Sequence, residues 1–322
     1  MMSFVSVIIP CYNAEGYIEK CLSALAAQTF RDFEVIVVDD CSTDNTKEVI
    51  WKYQKNAEIQ IALLENTVNA GPGVSRNKGI QYAKSEYVCF CDSDDWYDPD
   101  YLEKMVQASY NGQADMVFCN ARKIIAGKGI EMPMFGNMSE QVSVQEVLVL
   151  GIDSLWCTMI RRNIAATVSQ PALRNGEDMA VIPLMIMQCR RFGFVQMCIY
   201  NYLCRPGSLS LAANKGVVKS LEDSFWHIRT NCPEGHEKEI EFIGIKNLVY
   251  GGLLNHFKAK EDSLTARQLL ERFEKYYPHW YTNPYCKDLP IFKRAFLFFA
   301  KMRWFIAVHL MCLVHKSLTE RE

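Results

Sequence analysis

The sequence predicts an α/β protein with a parallel sheet, followed by an α-helical appendage. Three observations carry this expectation. Short apolar runs alternate with segments of helical spacing through the first part of the chain, the pattern of βαβ units. Three of those runs end in Pro10-Cys11-Tyr12-Asn13, Asp39-Asp40 and Asp92-Ser93-Asp94-Asp95. From residue 211 onward only helical periodicity is left.

Taken in order, Val5 to Pro10 is a continuous apolar run and reads as the first strand. Ile18, Leu22 and Leu25 then recur at helical spacing. Phe33 to Val38 is a second buried strand, and Cys41-Ser42-Thr43-Asp44 supplies capping residues for a helix that turns Val49, Ile50 and Tyr53 inward. Ile59 to Leu64 is the third strand. The turn-rich Asn69-Ala70-Gly71-Pro72-Gly73 leads into a helix through Arg76, Asn77 and Ile80. Tyr87 to Cys91 is a strand buried on both faces. Pro99 opens a helix through Leu102, Met105 and Val106, and Met116 to Asn120 is another strand. Residues 126–143 show no period and read as loop, with Val144 to Leu150 a short helix after them. Pro183 falls where a helix should be running, so that helix is expected to start late or to kink. Phe194 to Tyr202 is the last strand. Beyond it, Val217, Leu221, Phe225 and Ile228 form one helical stripe, and Ile240 to Phe257 and Thr265 to Tyr276 suggest two more helices.

Composition narrows the function classes. With 322 residues the chain can bury a large core. Its 35 basic and 37 acidic residues leave a net charge of -2, which gives no support to a nucleic-acid partner. Thirteen cysteines lie singly, without a C-x-x-C pair, which is expected of reduced thiols in a cytosol. Met1-Met2-Ser3-Phe4-Val5 has no charged leader region and is not expected to be a signal peptide. No uncharged apolar stretch reaches the length of a bilayer span.

The chemistry concentrates at the strand ends. Asp92, Asp94 and Asp95 place three carboxylates within four residues, which raises their pKa values unless a cation sits among them. Asp92 and Asp94 project to one side of an extended chain, a pair suited to a hard cation carrying phosphates. A solvated acidic turn ahead of the Pro99 helix accounts for the same residues. Ligands of such sheets bind beyond the carboxyl ends of the strands, so the three strand ends are expected to share one crevice. No Gly-x-Gly-x-x-Gly follows Pro10 and no P-loop lysine motif is present, so the crevice suits phosphates that meet a metal.

Four segments in this order resemble the family 2 glycosyltransferases of the GT-A fold: Val5 to Asn13, Val37 to Asp44, Ala70 to Gly79 and Phe90 to Asp95. The resemblance implies a GT-A, Rossmann-like nucleotide-binding sheet with helices on both faces. It also implies an inverting hexosyltransferase of the bacterial polysaccharide or envelope type. The implied donor is a nucleotide-sugar, usually a UDP-sugar, bound with Mn²⁺ or Mg²⁺. Carried over by residue, Pro10 and Tyr12 border the uracil and Asp40 accepts a hydrogen bond from its ring N–H. Asp92 lies near the ribose and joins the metal site, and Asp94 ligates the ion that bridges the diphosphate. A metal there neutralises the departing UDP without proton transfer. Arg76 offers charge-assisted bonds to the nucleotide, with a plain surface arginine as the alternative. Asp39 holds the strand-end turn.

The same resemblance makes residues 1–210 the catalytic domain, with 1–120 as its nucleotide half and 121–210 as its acceptor half, and 211–322 a helical region. Ser154 to Arg162 resembles a segment flanking the acceptor, where Trp156 either stacks on a sugar ring or fills the core. Asn175-Gly176-Glu177-Asp178 is by itself an ordinary helix N-cap. In a glycosyltransferase of this family it matches the Glu-Asp motif, with Asp178 the catalytic base and Glu177 orienting it or the acceptor. Arg205, in Cys204-Arg205-Pro206-Gly207-Ser208, matches a family loop that closes over the diphosphate.

Lys275 to Lys316 is dense in aromatic and basic residues. On one helical wheel Lys293, Arg294, Lys301, His309, His315 and Lys316 fall in an arc of about 160°. Residues 289–316 therefore fit a basic amphipathic helix lying in a membrane surface, or a helix packed on protein. The expected partners are a UDP-sugar and a glycan or lipid-linked glycan acceptor, and the expected place is the cytoplasm, peripheral on the inner face of the cytoplasmic membrane. A nucleotide-sugar nucleotidyltransferase would need a glycine-rich, Arg/Lys-bearing loop after the first strand, which is missing. A non-catalytic nucleotide-sugar-binding subunit of a polysaccharide assembly would not need Asp94 and Asp178.

Overall fold

The computed structural model describes residues 3–110, 112–138, 141–173, 175–205, 215–259 and 263–319, of which 215, 263 and 316–319 are described by backbone alone. The chain divides into two compact units, Met1–Ser208 and Leu209–Glu322.

The first unit is built on one sheet in the order β3-β2-β1-β4-β8-β6-β9-β5, with β7 paired to β6. Its first strands are β1 (Val5–Cys11), β2 (Phe33–Asp39), β3 (Ile61–Glu65) and β4 (Tyr87–Phe90), all parallel. Helices α1 (Ile18–Ala26), α2 (Thr46–Gln54) and α3 (Pro72–Tyr82) connect them. Every residue of β1 and β4 is buried, which explains their uninterrupted apolar runs.

Beyond β4 the expected parallel sheet gives way to a mixed one. The elements that follow are β5 (Trp96–Tyr97), α4 (Tyr101–Ala108), β6 (Met116–Ile125), β7 (Lys128–Met132), α5 (Val144–Leu150) and β8 (Thr158–Arg161). Then come α6 (Arg162–Ala165), α7 (Glu177–Ile186) and β9 (Phe192–Leu203). Strand β8 runs antiparallel to both β4 and β6, while β6 and β9 are parallel. The short β5, directly after the acidic strand tip, pairs antiparallel with β9 so that Tyr97 faces Tyr200.

Two local expectations fail. Residues 128–132 are not loop but strand β7, folded back on β6 through Ala126-Gly127. Both turn residues have positive φ, 48° and 79°, which matches the twist of a two-residue hairpin. The outward-facing β7 carries no apolar alternation, so no period announced it. Of the late start or kink expected from Pro183, the late start does not occur: helix α7 begins at Glu177 and runs through Pro183 to Ile186. Its Ala180–Ile186 segment is wholly buried, and that packing outweighs the single backbone bond the proline forgoes.

The second unit is helical: α8 (Lys215–Asn231), α9 (Glu237–Gly244), a π-helical stretch Ile245–Gly252, α10 (Leu253–Lys258), α11 (Ser263–Glu274), α12 (Ile291–Lys301) and α13 (Phe305–Thr319). The expected stripe on α8 places Phe225 and Ile228 in the core. The expected single amphipathic helix over 289–316 is two helices. Arg303 has φ of 59°, a left-handed residue that breaks the chain between α12 and α13. The single wheel therefore fails, because the two helices have separate phases. Glu274 fixes the break: it accepts from Trp280 Nε1 at 2.9 Å, from Lys301 Nζ at 3.1 Å, and from the Arg303 guanidinium.

Gly244 sits where α9 meets the aromatic core of this unit. A Cβ there would lie 2.7 Å from the Phe225 ring and would also strike Phe273. Gly244→Ala should therefore lower the stability of the helical unit by about 1–3 kcal/mol, the usual cost of overpacking. Thermal melts followed by circular dichroism test this; an unchanged or raised melting temperature would show that the ring pair yields freely.

Candidate functional site

The ends of β1 and β2 are stitched by side chains. Asn13 and Cys41 both take positive φ, 50° and 67°. The Asn13 amide donates to Ser42 Oγ at 3.0 Å, and Thr43 N–H donates to Asn13 Oδ1 at 2.8 Å. Asp39 is buried and accepts from Ser42 N–H at 3.0 Å, as a turn holder should. Tyr12 stands at this rim with 47% of its surface exposed, whereas Pro10 lies inside β1 opposite Val38 and is buried. Of the two residues expected to border a base, only Tyr12 presents a face; Pro10 is enclosed because both sides of β1 are covered.

Asp40 organises the next loop. Its carboxylate accepts from Asn66 Nδ2 at 2.7 Å, Ala70 N–H at 3.0 Å and Gly71 N–H at 2.7 Å, and it is 4% exposed. These bonds set the entry to α3 and so the position of Arg76. Gly73 permits the next contact: a Cβ there would meet the Pro171 carbonyl oxygen at 2.9 Å and Glu177 Cβ at 3.3 Å. Only glycine lets α3 approach the start of α7 this closely.

Across that contact Arg76 gathers three carboxylates. Nη1 donates to Glu177 at 2.9 Å and to Asp178 at 2.7 Å, and Nη2 donates to Asp92 at 2.8 Å. Arg76 is 2% exposed, so the surface alternative is excluded. Its Nε is buried without a partner among the described residues. Asp178 also accepts from Leu155 N–H at 3.0 Å, which fixes the second oxygen. The capping alternative for Glu177-Asp178 fails: Gly176 is the N-cap and no side chain caps the helix.

One guanidinium does not neutralise three carboxylates. Burial pushes the Asp178 carboxyl up to about 7, opposed by Arg76 and reinforced by Glu177 and Asp92. For Arg76 burial works against the charge, yet Asp178, Asp92 and Glu177 together raise its pKa further.

The strand tip has a second support that the sequence did not suggest. Tyr200 donates its hydroxyl to Asp95 at 2.7 Å and accepts from Asp92 N–H at 3.2 Å; Leu203 N–H donates to Asp95 at 2.7 Å. Burial and the charges of Asp92 and Asp94 hold the Asp95 carboxyl well above its usual range. Trp156 stacks on Tyr200 at 4.5 Å and is 7% exposed, so it fills the core rather than a sugar site. Asp94 is separate: it accepts from Arg205 Nε at 2.7 Å, and the Arg205 guanidinium lies over the Tyr17 ring at 4.7 Å. Burial and Asp92 raise the Asp94 carboxyl, against the pull of Arg205. The expected companions Pro206, Gly207 and Ser208 lie outside the described residues.

Among the described residues no group of three or more His, Cys, Asp or Glu could enclose a metal ion. Asp92 is turned to Arg76, which it shares with Glu177 and Asp178, whereas Asp94 has the half-buried Arg205 as its partner. That donor chemistry fits a hard divalent cation completed by phosphate oxygens and water, as Mg²⁺ is usually bound, rather than a closed protein cage.

The sequence model of Glycosyl transferase family 2 matches residues 6–168. This chain belongs to that family and is a glycosyltransferase. It is 34% identical over 213 residues to a protein named for teichuronic acid biosynthesis, the glycosyltransferase TuaG of Bacillus subtilis (strain 168), covering 66% of this chain and 82% of that one. It is 38% identical over 146 residues to the poly(ribitol-phosphate) beta-N-acetylglucosaminyltransferase TarS of Staphylococcus aureus (strain Mu50), covering 45% of this chain but 25% of TarS. In structure it is similar to residues 1-349 of S. aureus TarS in complex with UDP, with a TM-score of 0.70 at 21% identity over 98% of this chain and 92% of that one. The corresponding complex with UDP-GlcNAc gives a TM-score of 0.65 at 23% identity, again over 98% of this chain and 92% of that one. These likenesses identify the GT-A fold.

Removing the shared cation should cost more as the carboxylates ionise. Arg76→Met should destabilise the protein by about 3–5 kcal/mol at pH 8, the usual penalty for orphaning buried charge. The loss should shrink toward pH 5, where a carboxyl raised by burial carries a proton in the folded state. Denaturant melts of both proteins at the two pH values check this; equal losses at both would show that Arg76 acts through packing.

Proposed function

We propose that this enzyme inverts configuration as it moves a sugar from a UDP-sugar to a hydroxyl of a glycan or lipid-linked glycan, with Asp178 as general base. The observation that carries the reading is the Arg76 clamp. It brings the acidic strand tip and the Glu177-Asp178 helix start, far apart in sequence, onto one guanidinium. A donor end and an acceptor end of a transfer site need that proximity.

In this reading Tyr12 stacks on the base, and Asp40, already shaping the loop before α3, accepts from its ring N–H. Arg76, anchored by its three carboxylates, contributes positive charge beside the nucleotide. Asp92 faces the ribose. Asp94, together with phosphate oxygens of the donor, would hold a Mg²⁺ or Mn²⁺, whose charge would offset that of the departing UDP. Arg205 leaves Asp94 for the diphosphate. Arg76 and Leu155 N–H each hold one oxygen of Asp178, which orients the carboxylate, and a remaining lone pair receives the proton of the attacking hydroxyl. Glu177 orients that carboxylate through Arg76. The UDP and UDP-GlcNAc held by the TarS fold neighbours support the donor class, and the names of TuaG and TarS support an envelope polymer as acceptor. Such an acceptor is met at the inner face of the cytoplasmic membrane, where peripheral contact is part of this proposal.

Asp178→Asn should keep UDP affinity within about twofold while transfer falls roughly 10²-fold or more, because the shape stays and the base goes. Calorimetry and product assays separate the two, and equal losses would assign Asp178 a structural role. Retained anomeric configuration in the product would rule out inversion. Asp94→Asn should weaken UDP binding in Mn²⁺ but not in EDTA; unchanged affinity in both would remove Asp94 from the metal site.

The acid limb of the rate has a defined position. Asp178 is raised from 3.8 to about 7, so kcat/KM should fall about tenfold per unit below that pH as the base takes a proton. The same shift contributes stability at low pH that is lost as pH rises through about 7. An acid limb near pH 4 would show that the carboxylate stays ionised in the free enzyme.

A further inference from the structure

Helix α13 is apolar nearly all round, yet it is not enclosed. Phe305, Val308 and Cys312 face the interior of the helical unit. On the opposite side Ile306, Leu310, Leu313 and Val314, at i, i+4, i+7 and i+8, are exposed by 82%, 56%, 51% and 52%. No polar side chain on α13 is classed as exposed among its described side chains. The surface continues through Met302 and Trp304 at the turn, exposed by 48% and 54%, and along α12 through Phe298 and Ile291. A patch of this extent on a soluble protein marks a docking surface.

The charges around the patch select its partner. No Asp or Glu occurs from residue 289 to 319. Arg294 stands exposed between Ile291 and Phe298 on the outer line of α12, and it has no carboxylate partner among the described residues. Phe292 lies 6.4 Å from His315, so the start of α12 meets the far end of α13. Lys258 and Lys293 converge there, and both add to the burial that lowers the His315 pKa. Neither lysine has a carboxylate partner among the described residues. The aliphatic face thus has tryptophan at the turn and cations toward the open end.

We propose that the α12–α13 hairpin is a monotopic membrane anchor, its aliphatic face entering the headgroup boundary of an anionic bilayer. The proposal refines the membrane contact suggested above and is independent of the transfer chemistry. Aliphatic area supplies the burial, Trp304 suits the interfacial layer, and Lys258, Lys293 and Arg294 meet anionic headgroups. No helix of the described residues is long and apolar enough to cross a membrane, so contact stays on one side. A second copy is a weaker fit, since its matching face would bring cations against cations, with no Asp or Glu from residue 289 to 319 to pair them.

The test uses the full chain, mixed with phosphatidylglycerol/phosphatidylcholine vesicles or phosphatidylcholine alone, and sedimented at 0.1 and 1 M salt (roughly 10 and 3 Å screening lengths). Binding should favour anionic vesicles and weaken about tenfold or more at high salt. Ile306→Ser/Leu310→Ser/Leu313→Ser should lose roughly 10²-fold or more in partitioning. Lys293→Glu/Arg294→Glu should abolish only the anionic preference. Both variants should keep the helical content and melting temperature of the parent in circular dichroism, which shows that the helical unit folds. Absence of vesicle binding by the parent overturns the anchor while leaving the transfer reading intact. A dimer in light scattering that the triple variant dissolves, without vesicle binding, would assign the face to a second copy instead.

Discussion

Arg76 is the constraint on which the first unit depends. A guanidinium almost without access to water is tolerable only when surrounded by acceptors, and here three carboxylates provide them. The arrangement binds parts of the chain that the sheet alone would not hold together. Asp92 ends β4, Glu177 and Asp178 begin α7, and Arg76 lies in α3. Gly73 allows the helices to meet, and the Asp40 loop sets where α3 begins. A change at any of these positions would be felt at the others.

The excess of negative charge is the functional side of that constraint. Asp92, Asp94, Asp95, Glu177 and Asp178 are served by two guanidinium groups and one tyrosine hydroxyl. Asp95 and Asp178 respond by holding protons to higher pH, while Asp94 shares its charge with Arg205. Such a site is poised to accept positive charge or to take up a proton. The proposed transfer from a diphosphate donor would draw on both capacities.

The legible parts of the fold were those where local pattern and tertiary role agree. The parallel strands and their helices were readable because β1 and β4 are covered on both faces and must be apolar throughout. The carboxylates at the strand tip were readable as a cluster because three of them within four residues directly follow a buried apolar run. Arg76 was singled out for its position, but its partners were not, since nothing local in α3 points toward α7. The bond between Tyr200 and Asp95 was missed for a related reason. Their bond depends on β5 pairing with β9, a long-range contact between two aromatic-rich segments that read as ordinary core. Strand β7 was missed because an exposed edge strand has no apolar face to announce it. Pro183 misled on where the helix begins, because a proline forgoes one backbone bond and crowds the preceding turn, while a wholly buried helix end gains more than that from its packing.

The C-terminal helices show a different failure, one of phase. A helical wheel assumes a continuous rotation of 100° per residue. Arg303 resets that rotation, so an arc computed across it joins residues that do not share a face. With the phases separated, each helix has an inner line that packs and an outer line that does not. The inner line accounts for the packed-helix reading, and the outer line is the surface on which the proposed membrane contact rests. Glu274 makes that compatible with a stable unit, because it ties both Lys301 and Arg303 at the turn and leaves the packing of Phe296, Leu297 and Val308 undisturbed. The outer line is then free of any structural duty inside its own unit. A run of aliphatic residues with no such duty is stable in water only at a continuing solvation cost, which burial elsewhere would relieve.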